Sequence, residues 1–169
     1  MAFAQIIDKY KQSIFTFLYR MTGQQEDARD LAQEVFTKAY FHLNSYKPAC
    51  KFWTWLYRIA YNHCVDELRR RRRTERVELT DGLLTHRMTP ESVYLAKEQT
   101  AELEAQVLAL PQEYRTVFLL RHTQQLSCQE ISEILDIPVN LVRVRLHRAR
   151  KKLRERLLKG GAMHEVFDI

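Results

Sequence analysis

Apolar side chains recur at intervals of three and four along most of the chain. Phe3, Ile6, Ile7, Tyr10, Ile14, Phe17, Leu18 and Met21 make the first run, and Gly23 ends it. This is the 3.6-residue period of an amphipathic helix with a glycine stop. Leu31, Val35, Ala39 and Leu43 mark a second helix, closed before Pro48. A third starts near Phe52 and runs into the arginines at 69–73. It carries two apolar stripes, Leu56, Ile59 and Ala60 on one side and Tyr57, Tyr61, Cys64 and Leu68 on the other. A helix that is apolar on two sides belongs at the centre of a bundle. Thr89-Pro90 opens a fourth helix, and Pro111 opens a fifth through Leu120. Ser127 with Glu130 three residues on forms a capping box that starts a sixth. Pro138 or Val139 starts a seventh, which runs to about Leu158. Periodicity is lost over 74–89, around Asp81-Gly82. The pattern predicts an all-α protein of two small helical domains, 1–74 and 90–159. A linker at 75–89 joins them and a tail at 160–169 follows.

The sixth and seventh helices carry the most informative pattern. The sixth is short, with Ile131, Ile134 and Leu135 on its inner side, and Asp136-Ile137-Pro138 makes a tight turn. The seventh has Val142, Leu146, Ala149 and Leu153 at steps of four, three and four, which is one buried stripe. At 100° per residue, Arg143, Val144, His147, Arg148 and Lys151 fall on the opposite side, with Arg145 and Lys152 on a flank. A short helix, a tight turn and a longer basic helix make a helix-turn-helix, whose second helix can lie in the DNA major groove. Arginine suits that place, because it bonds guanine O6 and N7 together or pairs with phosphate.

The second and third helices read differently. Asp27, Asp30 and Glu34 share a face opposite Ala28, Leu31, Val35 and Ala39. An acidic face repels DNA. It is either solvated by its own ion pairs, such as Glu34 with Lys38 at i+4, or complementary to a basic protein. On the third helix, Asn62, Asp66, Arg69 and Arg73 form the polar stripe. Lys51-Phe52-Trp53-Thr54-Trp55 leads into it. Aromatic rings beside cations suit single-stranded nucleic acid, since unstacked bases stack on rings while cations follow the phosphates. Equally, Phe52, Trp53 and Trp55 can be core, Trp55 foremost.

Composition narrows the class. The chain has 169 residues, 46% of them hydrophobic and 28% charged, which describes a folded protein. Four glycines and four prolines are too few for a sandwich or barrel. Net charge is +6, with basic blocks at 69–76 and 143–159 and acidic residues between them. That distribution favours a polyanion held at two points. Cys50, Cys64 and Cys128 are odd in number and widely spaced, so no disulfide framework is expected. A zinc site from His63, Cys64, His122 and Cys128 fits no ligand spacing, so no metal and no cofactor are expected. No Ser-His-Asp order, phosphate loop or carboxylate pair marks an enzyme or a small-molecule substrate. No signal peptide or span of roughly 18–20 apolar residues is seen, so a cytoplasmic protein without membrane insertion is expected.

The motifs together resemble those of one family. Asp-Ala-Arg-Asp-Leu-Ala-Gln-Glu-Val-Phe at 27–36 is similar to the core-binding motif of sigma region 2. Phe-Trp-Thr-Trp-Leu-Tyr-Arg-Ile-Ala-Tyr-Asn at 52–62, followed by Asp66 and Arg69, resembles the part that melts promoters and reads the minus-ten element. Leu-Pro-Gln-Glu-Tyr-Arg at 110–115 and the stretch 126–150 resemble region 4. The chain is thus identified as resembling extracytoplasmic function (ECF) sigma factors of bacterial RNA polymerase, over nearly its whole length. The resemblance implies a non-enzymatic factor that binds core RNA polymerase, directs it to promoter DNA and helps open the duplex. It assigns Asp30, Gln33 and Glu34 to the polymerase clamp. Lys51, Trp53, Asn62, Asp66, Arg69 and Arg73 fall to the minus-ten strand. Arg143, Val144, His147, Arg148 and Lys151 fall to the minus-thirty-five duplex. It also implies an anti-sigma factor, often membrane-anchored, that covers these surfaces until a stress signal.

The sequence departs from the family pattern at Asn140, Leu141 and Val144, where the recognition helix usually opens Gly-Thr-Val-Lys-Ser. Trp53 replaces a small polar residue, and Asp136 stands where a turn glycine is common. These changes bear on which promoter sequence is read. Two other readings compete: a stand-alone helix-turn-helix regulator, and an adaptor acting through protein contacts alone. A stand-alone regulator binds palindromic DNA tightly as a dimer. One recognition helix per chain and an acidic first domain predict instead a monomer that binds promoters weakly until it joins polymerase.

Overall fold

The first helical run forms as its spacing dictates, and its end is set by backbone geometry. In the computed structural model, which describes residues 2–78 and 98–159, α1 spans Phe3–Thr22. Gly23 then takes φ 76° and returns its N–H to the Tyr19 carbonyl. A Cβ there would sit 2.7 Å from Leu108 Cδ2, so glycine serves both the left-handed stop and the close approach. α2 follows at Gln25–His42, trailed by a 3-10 turn at Leu43–Ser45. α3 spans Phe52–Glu78. It therefore continues through 75–78, which the sequence pattern assigned to the linker. Thr74 does not end it; its hydroxyl donates to the Arg70 carbonyl one turn back at 3.2 Å, as a threonine inside a helix can. The expected start of the fourth helix at Thr89-Pro90 and the tail lie outside the described residues.

The second half begins with α4 at Glu98–Leu108 and α5 at Gln112–Phe118, the latter continuing into a π-helical turn at Leu119–Thr123. α6 is Cys128–Leu135 and α7 is Val139–Lys159. Both hydrogen bonds of the Ser127–Glu130 capping box are present. Asp136 ends α6 in the left-handed region at φ 53°, a conformation Asp adopts more readily than most residues. Ser127→Ala leaves the Glu130 N–H of this short helix without its acceptor. The expected loss is about 1 kcal/mol of folding free energy, read from the urea midpoint. An unchanged midpoint would show that the box does not hold α6.

Every regular element among the described residues is helical, and the predicted all-α class is observed. α3 is central, packing against α1, α2 and α6. The two halves share one core: Ile14, Phe17, Leu18 and Met21 of α1 join a continuous cluster with Leu110, Val117, Leu120, Ile131 and Leu153. Polar contacts reinforce the junction. Arg115 Nη1 donates to the Met21 carbonyl at 2.6 Å, capping the end of α1 from the other half. Arg20 Nη1 donates to Thr123 Oγ1 at 3.0 Å.

Candidate functional site

On α2, Ala28, Leu31, Val35 and Ala39 are buried, and Asp30, Gln33 and Glu34 are exposed on the other side. Asp27 does not share that face as its spacing predicted. It is half-buried and paired with Arg71 of α3, which also donates to Glu67 at 3.2 Å. The arginine run of α3 passes beside the start of α2 and captures the first acid. The Asp27 hydrogen bond holds the Arg71 pKa above its ordinary value, even against the cost of burial. The Glu34–Lys38 pair of the solvated-face alternative does not form, because His63 of α3 stands between them. Lys38 Nζ lies 2.7 Å from His63 Nδ1 and Glu34 accepts from His63 Nε2. An ammonium has only donors, so Nδ1 must accept and Nε2 carries the proton. The acidic face is therefore braced from α3 while its carboxylates stay exposed.

On α3, Asn62, Asp66, Arg69 and Arg73 are all exposed, one row along the helix. Glu67 lies beside that row and takes hydrogen bonds from Arg70 and Arg71. These hold its carboxyl below the usual range. At the entry to the helix, Phe52, Trp53 and Trp55 are half-buried against the core. Phe52, Trp55 and Tyr46 form one ring cluster with centroids 5.4 Å apart, which packs the entry of α3 against the core. Lys51 and Trp53 differ from them. Lys51 Nζ lies over the Trp53 ring at 4.9 Å, and both residues donate to Glu130 of α6, at 3.1 and 3.2 Å.

On α7, Val142, Leu146, Ala149 and Leu153 are buried, and Arg143, Val144, His147, Arg148 and Lys151 are exposed. Val144 is 42% exposed, a large apolar side chain left at water among the described residues. The flank residues hold the helix in place: Arg145 pairs with Glu113 at 3.8 Å and Lys152 lies 6.0 Å from the Tyr114 ring centroid. Behind the exposed basic face, Arg150 Nε donates to His122 Nε2 at 3.1 Å, and the His122 ring packs tilted against Phe118. Burial, with Arg150 and Arg121 close by, holds the His122 pKa below its ordinary value. Below about pH 6.5 the unfolded chain protonates this imidazole while the folded chain resists. Its share of stability is thus complete above that pH and lost as pH falls toward the lower folded value. The melting temperature is expected to drop between about pH 7.5 and 5.5, and to drop less in His122→Gln. Equal slopes for the two proteins would refute the assignment.

The surfaces that sequence reasoning missed are those built from two helices. Glu130, Arg58 and His63 carry contacts between elements that no single helical wheel shows. Tyr40 and Phe41, 59% and 73% exposed, extend an aromatic groove over α1 and α2 with Phe3 and Phe15. Two aromatics side by side at the polar end of α2 were the available signal. His63, Cys64, His122 and Cys128 are not brought together as metal ligands. Among the described residues no three His, Cys, Asp or Glu side chains form such a group. Cys64 is fully buried, and desolvation pushes its thiol up to about 12.

Comparison with known proteins matches this arrangement in both halves. The sigma-70 region 2 family model matches residues 6–74 and the sigma-70 region 4 model matches residues 100–153. The ECF RNA polymerase sigma factor SigW of Bacillus subtilis is 39% identical over 166 residues, covering 92% of this chain and 89% of that protein. The ECF RNA polymerase sigma-E factor of Escherichia coli K12 is 32% identical over 162 residues, covering 90% and 84%. In fold, the sigma factor RpoE from Bartonella quintana, solved with the anti-sigma factor NepR, aligns with a TM-score of 0.79 at 22% identity. That alignment covers 93% of this chain and 96% of the other. The acidic face of α2, the polar row of α3 and the basic face of α7 thus lie in a chain that belongs to the ECF family of RNA polymerase sigma factors.

Proposed function

We propose that the chain is an alternative sigma factor that works through three surfaces. Asp30, Gln33 and Glu34 dock on the clamp of core RNA polymerase. Lys51, Trp53, Asn62, Asp66, Arg69 and Arg73 hold the minus-ten strand as the duplex opens. Arg143, Val144, His147, Arg148 and Lys151 read the minus-thirty-five element in the major groove. The supporting observation is where charge is exposed: the carboxylates of Asp30 and Glu34 on α2, the guanidinium groups of Arg69 and Arg73 on α3, and those of Arg143 and Arg148 on α7. A carboxylate face suits a basic protein surface, and a cationic face suits phosphate. The chain itself carries out no covalent step. On this reading, domain 1–74 carries the first two surfaces and domain 90–159 the third.

The chain acts where polymerase is, in the cytoplasm. No helix among the described residues is long and apolar enough to cross a membrane. An anti-sigma factor is its expected regulator. RpoE was solved with NepR, and CnrH, of similar fold, with the cytosolic domain of CnrY.

The decisive experiment is multi-round transcription with purified chain, core polymerase free of other sigma factors and fragmented host genome. Discrete 5′ ends that depend on the chain are the expected result, and their aligned upstream sequences define both promoter elements. Neither transcripts nor core binding would refute the reading. The free chain is expected to be a monomer with weak promoter affinity. Sequence-specific binding by the free chain with a Kd of about 1 nM at physiological salt would favour a stand-alone regulator instead.

A further inference from the structure

His63 of α3 stands between two oppositely charged residues of α2. Lys38 Nζ donates to its Nδ1 at 2.7 Å, and its Nε2 donates to Glu34 Oε2. The ring has little freedom. Its side chain is 13% exposed, and Cys64 next to it and Ala60 one turn back are fully buried. The Glu34 side chain is 59% exposed. A fixed donor on α3 thus grips one oxygen of a carboxylate that stands mostly in water. With Oε2 taken, Oε1 is the oxygen left to a docking partner.

Glu34 has a second arrangement open to it. Lys38 lies one turn along α2, at i+4, the spacing at which Glu and Lys pair directly. That pair would lay the carboxylate along the helix and set an ammonium against it. Part of its charge would be offset before any partner arrived. His63 puts a neutral N–H there instead, because Nδ1 accepts from Lys38 and carries no proton. The ammonium is satisfied on one nitrogen of the ring and the carboxylate on the other. Both ends of the ring are needed, an acceptor for Lys38 and a donor for Glu34, with a rigid body between them.

We infer that His63 is a positioning residue for polymerase docking, which keeps Glu34 apart from Lys38 and ordered for a basic residue of the clamp. The inference rests on the proposed docking role of the α2 face. A carboxylate ordered before docking spares the complex the cost of ordering it. α3 therefore serves the polymerase surface through His63 and the promoter row through Asn62, its neighbour in the chain.

The test is a titration of immobilised core polymerase with the full chain, read by biolayer interferometry. Two amide side chains divide the functions of the ring. Gln is long enough to place an N–H where Nε2 stands, whereas Asn reaches only as far as Nδ1. His63→Asn should weaken core binding about fivefold, the ordering cost of one rotamer-rich side chain. His63→Gln should bind within about twofold of wild type, since it keeps the donor to Glu34. In a Glu34→Ala background His63→Asn should cause no further loss, because the contact it breaks is already gone. In transcription, His63→Asn should need more chain for half-saturation yet reach the wild-type plateau. Equal affinity of His63→Asn and wild type overturns the inference. So does an equal loss in His63→Asn and His63→Gln, or the same loss of affinity when Glu34 is absent. Either would mean that His63 serves only the packing of α2 on α3. The docking role is read separately, from Glu34→Ala alone. Unchanged core affinity there removes that role and the inference with it. A weakened Glu34→Ala beside an unaffected His63→Asn removes the inference and leaves the docking role standing.

Discussion

Asp30→Lys/Glu34→Lys is expected to weaken binding to core RNA polymerase by about 3 kcal/mol, roughly a hundredfold in Kd. The effect is large because reversal does more than delete an attraction. It sets two like charges against a basic docking surface, and like-charge juxtaposition at an interface costs several kcal/mol. Both side chains are exposed and stand opposite the buried residues of α2, so the substitutions leave the core in place. Glu34→Lys also releases His63 from its carboxylate. A melting curve alongside the binding titration separates that local loss from the interface effect. A folded variant with unchanged Kd for core would disprove the docking role of this face.

Arg143→Ala/Arg148→Ala is expected to reduce transcription from the cognate promoter while core binding stays normal. Each arginine that pairs with a base edge is worth about 1–3 kcal/mol of recognition. The two side chains point off successive turns of α7 over a buried stripe, and both are exposed. Among the described residues Arg143 makes a long contact, 3.4 Å to Asn140 Oδ1, which restrains it little from turning to DNA. Losses at the two positions should add, because the side chains share no partner among the described residues. The combined effect is about 2–6 kcal/mol. It should appear as loss of promoter binding by the holoenzyme in a mobility-shift titration. Wild-type transcription by the double variant would exclude these arginines from promoter reading.

Val144 stands between those arginines in sequence and is an apolar departure on the α7 face proposed to read DNA. A valine hydrogen-bonds nothing but can pack on the methyl group of thymine. Val144→Ser is therefore expected to change which minus-thirty-five sequence is preferred more than the total affinity. Selection from a randomised promoter library would measure that change, and an unaltered consensus would exclude Val144 from base reading.

Much of the molecule was legible in the sequence, and the legible parts share a cause. The α1 stripe, the Gly23 stop, the Ser127–Glu130 box, the left-handed Asp136 and the division of α7 into buried and exposed faces all follow from residues within a turn or two of each other. Helical periodicity and capping are local physics, so spacing alone places those side chains. Spacing also put Asn62, Asp66, Arg69 and Arg73 on one open row and Asp30 and Glu34 on another, while Gln33 was assigned by the resemblance alone. The same reasoning misplaced Asp27 and left open a Glu34–Lys38 pair that His63 displaces. In both cases a side chain of α3 reached across to α2, and no helical wheel contains its neighbour.

The sequence by itself thus determined the helices, their caps and which face of each meets water, since those depend on neighbours along the chain. Only the tertiary structure decided that Arg71 takes Asp27, that His63 braces Glu34 and that Glu130 closes on Lys51 and Trp53. These contacts join residues far apart in the chain, 44, 29 and 79 positions for Arg71–Asp27, His63–Glu34 and Lys51–Glu130. At such separations the partner is selected by how whole helices pack around a shared core, a property of the assembled fold that no local pattern encodes.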